Sequence, residues 1–295
     1  MDWSDLQYFL ALAEEGSVRS AALKLKVSHS TISRRISALE SDLGVRLFDR
    51  LANGYQLTAE GEGILDDVSG IKSRVNTLER RISGQDEKLS GPLRVTMPDT
   101  IASQVLMADI VAFTQAYPDI ELDIIATYDR LSLDQREADI AIRITDKPPE
   151  HLVGRKVAVY KRANYVSKAY LQKTPLDKLA TDGAWIGWND KTSFPDWVAE
   201  SAYPEIPALH HFADPLLQLS AVREGLGIAM MPCFIADQYE SLVRVPDDRC
   251  EDAYEVWLFT HPDLRHSSKV KAFMAAMVEA FERLGPLLRG ETYQV

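Results

Sequence analysis

Apolar positions near the N-terminus recur at helical spacing in three short bursts. Leu6, Phe9, Leu10 and Ala13 form the first, between a Ser4–Gln7 capping box and Gly16. Ala21, Ala22 and Leu25 follow a Ser17 cap. Ile32, Ile36, Leu39 and Leu43 lie between a Ser28 cap and Gly44. Three short capped helices joined by tight turns predict a helix-turn-helix unit. The period then changes to two over 46–50 and 55–57, on either side of Asn53-Gly54, which predicts a hairpin wing.

From a Thr58 cap, Ile64, Val68, Ile71, Val75, Leu78 and Ile82 alternate spacings of four and three. This is an a/d seam, and one so narrow needs a partner helix, so these six are the expected dimerisation residues. The helix over 59–83 would extend ~37 Å at ~1.5 Å per residue, enough to hold two reading heads apart. Polar residues 85–92 read as a hinge. Beyond it the rhythm is strand 93–97, helix 100–116, strand 120–126, short helix 131–137 and strand 138–144. A second set has strands near 164–167, 185–188, 227–231 and 255–260, with helices near 175–179, 214–224 and 269–284. The alternation predicts a parallel sheet covered by helices, in two α/β lobes joined by crossing segments near Tyr160 and Thr260. The expected organisation is a winged helix-turn-helix (1–58), a linker helix and hinge (59–90), and a two-lobed α/β domain (91–295). Its first lobe takes about 91–160 and 262–295, its second about 161–261.

Composition narrows the class. With 46% hydrophobic and 26% charged residues, the 295-residue chain can build ordinary globular cores. No apolar run approaches the ~18 residues that span a bilayer, and the first residues lack a signal-peptide pattern, so a cytoplasmic location without membrane contact is expected. Cys233 and Cys250 are too few for a disulfide framework. They are expected to be bystanders that form no internal disulfide under mild peroxide. A net charge of −11 argues against a nucleic-acid partner until its distribution is considered. Residues 17–57 hold seven basic groups (Arg19, Lys24, Lys26, Arg34, Arg35, Arg46, Arg50) against three acidic ones, which gives this segment +4 and leaves −15 elsewhere.

On the third helix, Ser30, Arg34, Ser37 and Ser41 fall opposite Ile32, with Thr31 and Ser33 on the flanks. Small hydroxyls permit close approach to base edges and Arg can donate twice to guanine, although a solvated face would look the same. The full run decides between them. Asp5-Leu6 through Phe9, Ala21-Ala22, Ser33-Arg34-Arg35-Ile36 through Leu39-Glu40, Leu43 to Arg50, and Leu57-Thr58-Ala59-Glu60-Gly61 resemble the LysR-type transcriptional regulators. Tyr117-Pro118-Asp119, Ala138 to Arg143 and Gly225-Leu226-Gly227-Ile228 through Pro232 resemble their sensing domain. The resemblance implies a regulator that binds double-stranded operator DNA as a homodimer, often a dimer of dimers, and responds to a small molecule between the lobes. Ser28, His29, Ser30, Thr31, Ser33, Arg34, Arg35, Ser37 and Arg50 are the expected DNA contacts. His29-Ser30 departs from the Gln-Pro or Gln-Ser of many members, so the operator cannot be copied from a relative, and His29 is open to either a base or a phosphate contact.

In open parallel sheets ligands sit outside the carboxyl ends of strands. This places Thr100, Thr127, Tyr128 and Thr145 at the expected effector site, unless the threonines serve as turn or cap residues. Asp99 caps the following helix or faces the cleft, where it would favour a cationic or polyol-like ligand. Arg143 needs a partner in its apolar strand, either a ligand anion or Asp139. Trp197 lines the cleft or belongs to a core. Adjacent His210 and His211 point to opposite faces of a strand and make a poor metal pair. No cofactor, metal or catalytic constellation stands out. The rival reading is a stand-alone solute-binding protein, and the missing signal peptide and the reading head weigh against it.

Overall fold

The computed structural model describes residues 3–51, 54–84, 88–128, 133, 137–188, 193–245 and 250–291. The chain forms two compact units, one ending at Ile82 and one beginning at Ser83. In the first, α1 (Trp3–Glu15), α2 (Val18–Leu25) and α3 (His29–Leu43) are followed by a hairpin of β1 (Phe48–Leu51) and β2 (Gly54–Leu57), then by α4 (Ala59–Gly84). Ser17 and Ser28 accept the N–H groups of Ser20 and Thr31, and Lys26 and Gly44 close the helices in the left-handed region. Because α1 starts at Trp3, Ser4 sits inside its first turn and is not the expected cap. Phe9, Leu12, Ile32, Ile36, Leu39, Leu47 and Phe48 form the core. Leu43 does not join it and is 40% exposed, because α3 outruns the three-helix core in its last turn.

The second unit opens with β3 (Gly91–Met97), a one-turn α5 (Asp99–Ile101), a π-helical turn (Ala102–Leu106), α6 (Met107–Ala116), β4 (Ile120–Ala126) and β5 (Ile140–Ile144). The expected single helix over 100–116 is thus interrupted, and most of the helix expected over 131–137 lies outside the described residues. Next come β6 (Val153–Ser167), α7 (Lys168–Lys173), α8 (Leu179–Asp182), β7 (Trp185–Gly187), α9 (Asp196–Ala199), β8 (Ala208–His211) and α10 (Pro215–Arg223). The chain ends through β9 (Ala229–Pro232), α11 (Cys233–Ala236), β10 (Leu242–Arg244), β11 (Glu251–Thr260), α12 (Ser268–Arg283) and α13 (Gly285–Leu288).

The main sheet runs β10-β6-β11-β5-β3-β4, with β9 also on β6. Only β4, β3 and β5 are mutually parallel; β11, β9 and β10 run antiparallel to their neighbours. The all-parallel expectation fails because β6 and β11 pass between the lobes, and a chain that crosses and returns must reverse direction. One half of β6 pairs with β11 and the other with β9 and β10, so a single strand serves both lobes. A second-lobe core gathers Val166, Leu179, Trp185, Val198, Ile206 and Ile228 around the parallel pair β7–β8.

Candidate DNA interface and effector cleft

Helix α3 presents a polar face that the cap organises. The Ser28 hydroxyl lies 2.8 Å from those of both Ser30 and Thr31 while accepting the Thr31 N–H. His29, Ser30, Arg34 and Ser37 are exposed, and Thr31 and Ser33 are half-buried at the edges. Arg34 forms no hydrogen bond or ion pair among the described residues. Arg35 differs, for its guanidinium donates to Asp5 at 3.2 Å and lies 5.8 Å from the Tyr8 ring centre, fastening α3 to α1. Glu40 ties α3 to the wing by accepting the N–H groups of Leu47 and Phe48 through one oxygen. On the wing, Arg50 faces its cross-strand partner Tyr55, 5.7 Å from the ring centre. Tyr55 in turn donates its N–H to the Gly16 carbonyl, and a Cβ on Gly54 would meet that same oxygen at 2.5 Å. Asn53 lies outside the described residues.

The basic count of this segment shrinks in three dimensions. Lys24 is paired with Glu14 and Glu15, and Lys72 with Glu14. Burial works against charge on Glu14, yet the two lysines outweigh it and hold its carboxyl below the usual range. Among the described residues Arg19, Lys26, Arg34, Arg46 and Arg50 form no ion pair.

The apolar seam of α4 divides in two. Val68 is buried in the reading head's own core, with Ile64 packed beside it. Farther along, Ile71 is 41% and Leu78 60% exposed, with Val75 half-buried between them. Only this second part lacks cover, which corrects the expectation of one continuous six-residue seam. The Ile82 side chain lies outside the description.

In the second unit the carboxyl ends of β3 and β4 adjoin, the Thr127 N–H donating to the Met97 carbonyl. Thr100 is 2% exposed and its hydroxyl lies 3.1 Å from that of Tyr128, whose ring is half-exposed. Asp99 accepts the Thr100 N–H at 2.6 Å; Pro98, not Asp99, occupies the cap position. Partial burial and then the carboxylates of Asp99 and Asp214 push the Tyr128 hydroxyl well above its usual range, with Thr100 opposing. Asp214 is the N-cap of α10, so this hydroxyl is where strand ends of the first lobe face a helix start of the second. Beneath it Tyr160 is buried on the crossing strand β6, its ring 5.3 Å from Phe234 and 6.2 Å from Tyr254.

Other expected contacts are engaged elsewhere. Thr145 uses its hydroxyl inside its own turn, accepting from the Lys147 N–H. Arg143 donates to the Thr96 hydroxyl at 2.8 Å and to the carbonyls of Thr127 and Ile142. Asp139 is not the ion partner considered for it. Four residues along a strand separate the two by ~13 Å, and the Asp139 carboxylate accepts the Arg94 N–H instead. Trp197 stands edge-on to Trp185 at 5.3 Å, against the second-lobe core. Asp214, whose charge acts on the Tyr128 hydroxyl, and Tyr160 were not among the contacts expected from the sequence. The Asp214-Pro215 start of a helix was the available signal for the first; nothing local marks the second.

Among the described residues no helix is long and apolar enough to cross a membrane, and no group of His, Cys, Asp and Glu could hold a metal. Residues 3–62 match the lysR-family bacterial regulatory helix-turn-helix protein, and residues 86–282 the LysR substrate binding domain. The chain is 31% identical over 245 residues to the AhcY transcriptional activator HvrB of Rhodobacter capsulatus, covering 76% of this chain and 77% of that one. It is 35% identical over 119 residues to the regulator TfdT of Cupriavidus pinatubonensis, covering 40% of this chain and about half (52%) of that relative. A full-length variant of AphB, a protein of Vibrio cholerae, superposes with a TM-score of 0.72 at 24% identity, over 94% of this chain and 98% of AphB. A lysR-type reading head and a two-lobed sensing domain, matched over most of the sequence, place this chain in the LysR family of transcriptional regulators.

Proposed function

We propose that this chain is a cytoplasmic regulator that binds operator DNA sequence-specifically and alters promoter activity when a small molecule occupies the cleft between its lobes. The observation that carries this reading is the capped α3 with Arg34 exposed on its outer face and unpaired among the described residues, in a segment richer in basic groups than the rest of the chain. The borders follow the sequence reading: 1–58 for the reader, 59–90 for the linker, and 91–295 for the sensor. A gel-shift with the DNA upstream of the protein's own gene tests it. Retarded, sequence-dependent complexes are expected; no complex with any upstream fragment would leave the stand-alone solute binder as the better reading.

The exposed part of the α4 seam supports a homodimer, which pairs again into a dimer of dimers on DNA. Val75→Asp is expected to weaken dimerisation by about 100-fold or more, because each copy would place a charge where the partner offers an apolar hole, at about 3 kcal/mol. Sedimentation that still shows the dimer at low micromolar protein removes the seam from this role.

Tyr128, with Thr100 behind it and Asp99 and Asp214 beside it, is the centre of the effector cleft. Two carboxylates at one hydroxyl favour a cationic or hydroxyl-rich neutral ligand over an anion. A metabolite found by thermal-shift screening should bind Tyr128→Phe or Thr100→Val about 5- to 150-fold more weakly, the effect of ~1–3 kcal/mol for an unpaired polar group. Operator binding by both variants should be unchanged. Equal affinities in titrations of wild type and both variants would put the sensing site elsewhere.

A further inference from the structure

Cys233 and Cys250 are 17 positions apart in sequence, yet their sulfurs lie 3.6 Å apart. Their reading as bystanders did not anticipate this contact. Cys233 is fully buried at the first residue of α11, and Cys250 is partly exposed just ahead of β11. We propose that the two thiols form a reversible redox pair, which a hydroperoxide converts into an intramolecular disulfide.

Cys250, the more exposed of the two residues, is the one an oxidant reaches first. Cys250 attacks the peroxide O–O bond and becomes a sulfenic acid, releasing the first water (or, from an organic peroxide, an alcohol). The Cys233 thiolate then attacks the Cys250 sulfur; the S–O bond breaks, and the departing hydroxide takes up the proton lost by Cys233 as a second water. Two thiols thereby give two electrons to one peroxide. The sulfurs already touch, and reaching the ~2.05 Å of a disulfide requires an approach of about 1.5 Å, within the range of side-chain rotation.

The surroundings set the pace of the second step. Burial holds the Cys233 thiol well above its ordinary range, with the nearby Tyr165 hydroxyl opposing this and the Cys250 sulfur adding to it. Its thiolate is therefore scarce at neutral pH, and closure should accelerate as pH rises. The bond would join the start of α11 to the start of β11, the strand that runs on to pair with β5 in the first lobe. Oxidation therefore acts on the joint between the lobes, next to Phe234, whose ring packs on Tyr160.

Reduced full-length protein, exposed to hydrogen peroxide at a series of pH values, alkylated and digested, gives the test by mass spectrometry. Expected are a peptide pair linked through Cys233 and Cys250, simultaneous loss of both alkylation sites, faster closure at higher pH, and full recovery with dithiothreitol. Cys250→Ser should leave Cys233 alkylatable after peroxide, while Cys233→Ala should stop at a sulfenic acid that dimedone traps on Cys250. Because Cys250 is partly exposed, its serine variant is expected to keep the native circular dichroism. Two thiols that stay fully alkylatable, or disulfides found only between molecules, would overturn the proposal.

Discussion

Replacing Arg244 by alanine should destabilise the sensing domain by about 3–5 kcal/mol, the largest single-site effect expected in this chain. Its partner Asp237 is 1% exposed and receives the guanidinium at 2.6 Å through Nη2, along with the Tyr165 hydroxyl at 2.6 Å. The same Nη2 donates to the Gly290 carbonyl at 2.7 Å, so one arginine fastens β10, the end of α11 and the C-terminal turn. Removing it strands a carboxylate where water cannot reach. Urea unfolding followed by circular dichroism reads the loss, and a double variant with Asp237→Ala should recover part of it, because the buried charge goes too. An unchanged urea midpoint for Arg244→Ala would show that the pair holds nothing.

Arg34→Ala should remove most of the discrimination between operator and unrelated DNA, by ~1–3 kcal/mol or roughly 5- to 150-fold. The side chain is exposed on α3 with no competing partner among the described residues, so its donors are available for a guanine edge. Arg50→Ala should behave differently. Resting on Tyr55 at the wing, Arg50 is placed for phosphate, and its loss should weaken all sequences alike and lower the salt slope by about 1. Titrations of specific and scrambled duplexes at several salt concentrations separate the two roles. A specific-to-scrambled ratio in Arg34→Ala equal to that of wild type would take Arg34 out of base reading.

The reading head was legible because its signals are local. Ser17, Ser28, Thr58 and Gly44 each act within four residues, and periodicity marked Ile32, Ile36 and Leu39. What periodicity could not mark was the end of the core, so Leu43 was counted in and Val68 was assigned to a partner helix. The sensing domain was legible in part in both lobes, with β7 and α10 of the second lobe expected within a residue of their observed limits. Strand β4 came out at its observed limits, whereas the part of β6 that pairs with β11, carrying Arg155, Lys156, Lys161 and Arg162, looks like a polar loop. It becomes a strand because β11, some ninety residues later, supplies hydrogen bonds along its length. The thiol contact has the same character: a helix start and the residue before a strand, 17 positions apart, meet through the fold and not through any local pattern.

The shared strands also restrict how the gene can change. Because β6 and β11 pair across the joint and then diverge to different neighbours, their side-chain alternation is common to both lobes. Loss of one codon within 153–163 would shift the register and turn inward-facing residues outward on one side or the other. The pair tolerates irregularity at two places, the register shifts at Asp252/Tyr254 and Val256/Trp257. Length variation among descendants of this sequence should therefore collect at those steps and in the surface loops, leaving the rest of the ribbon at constant length.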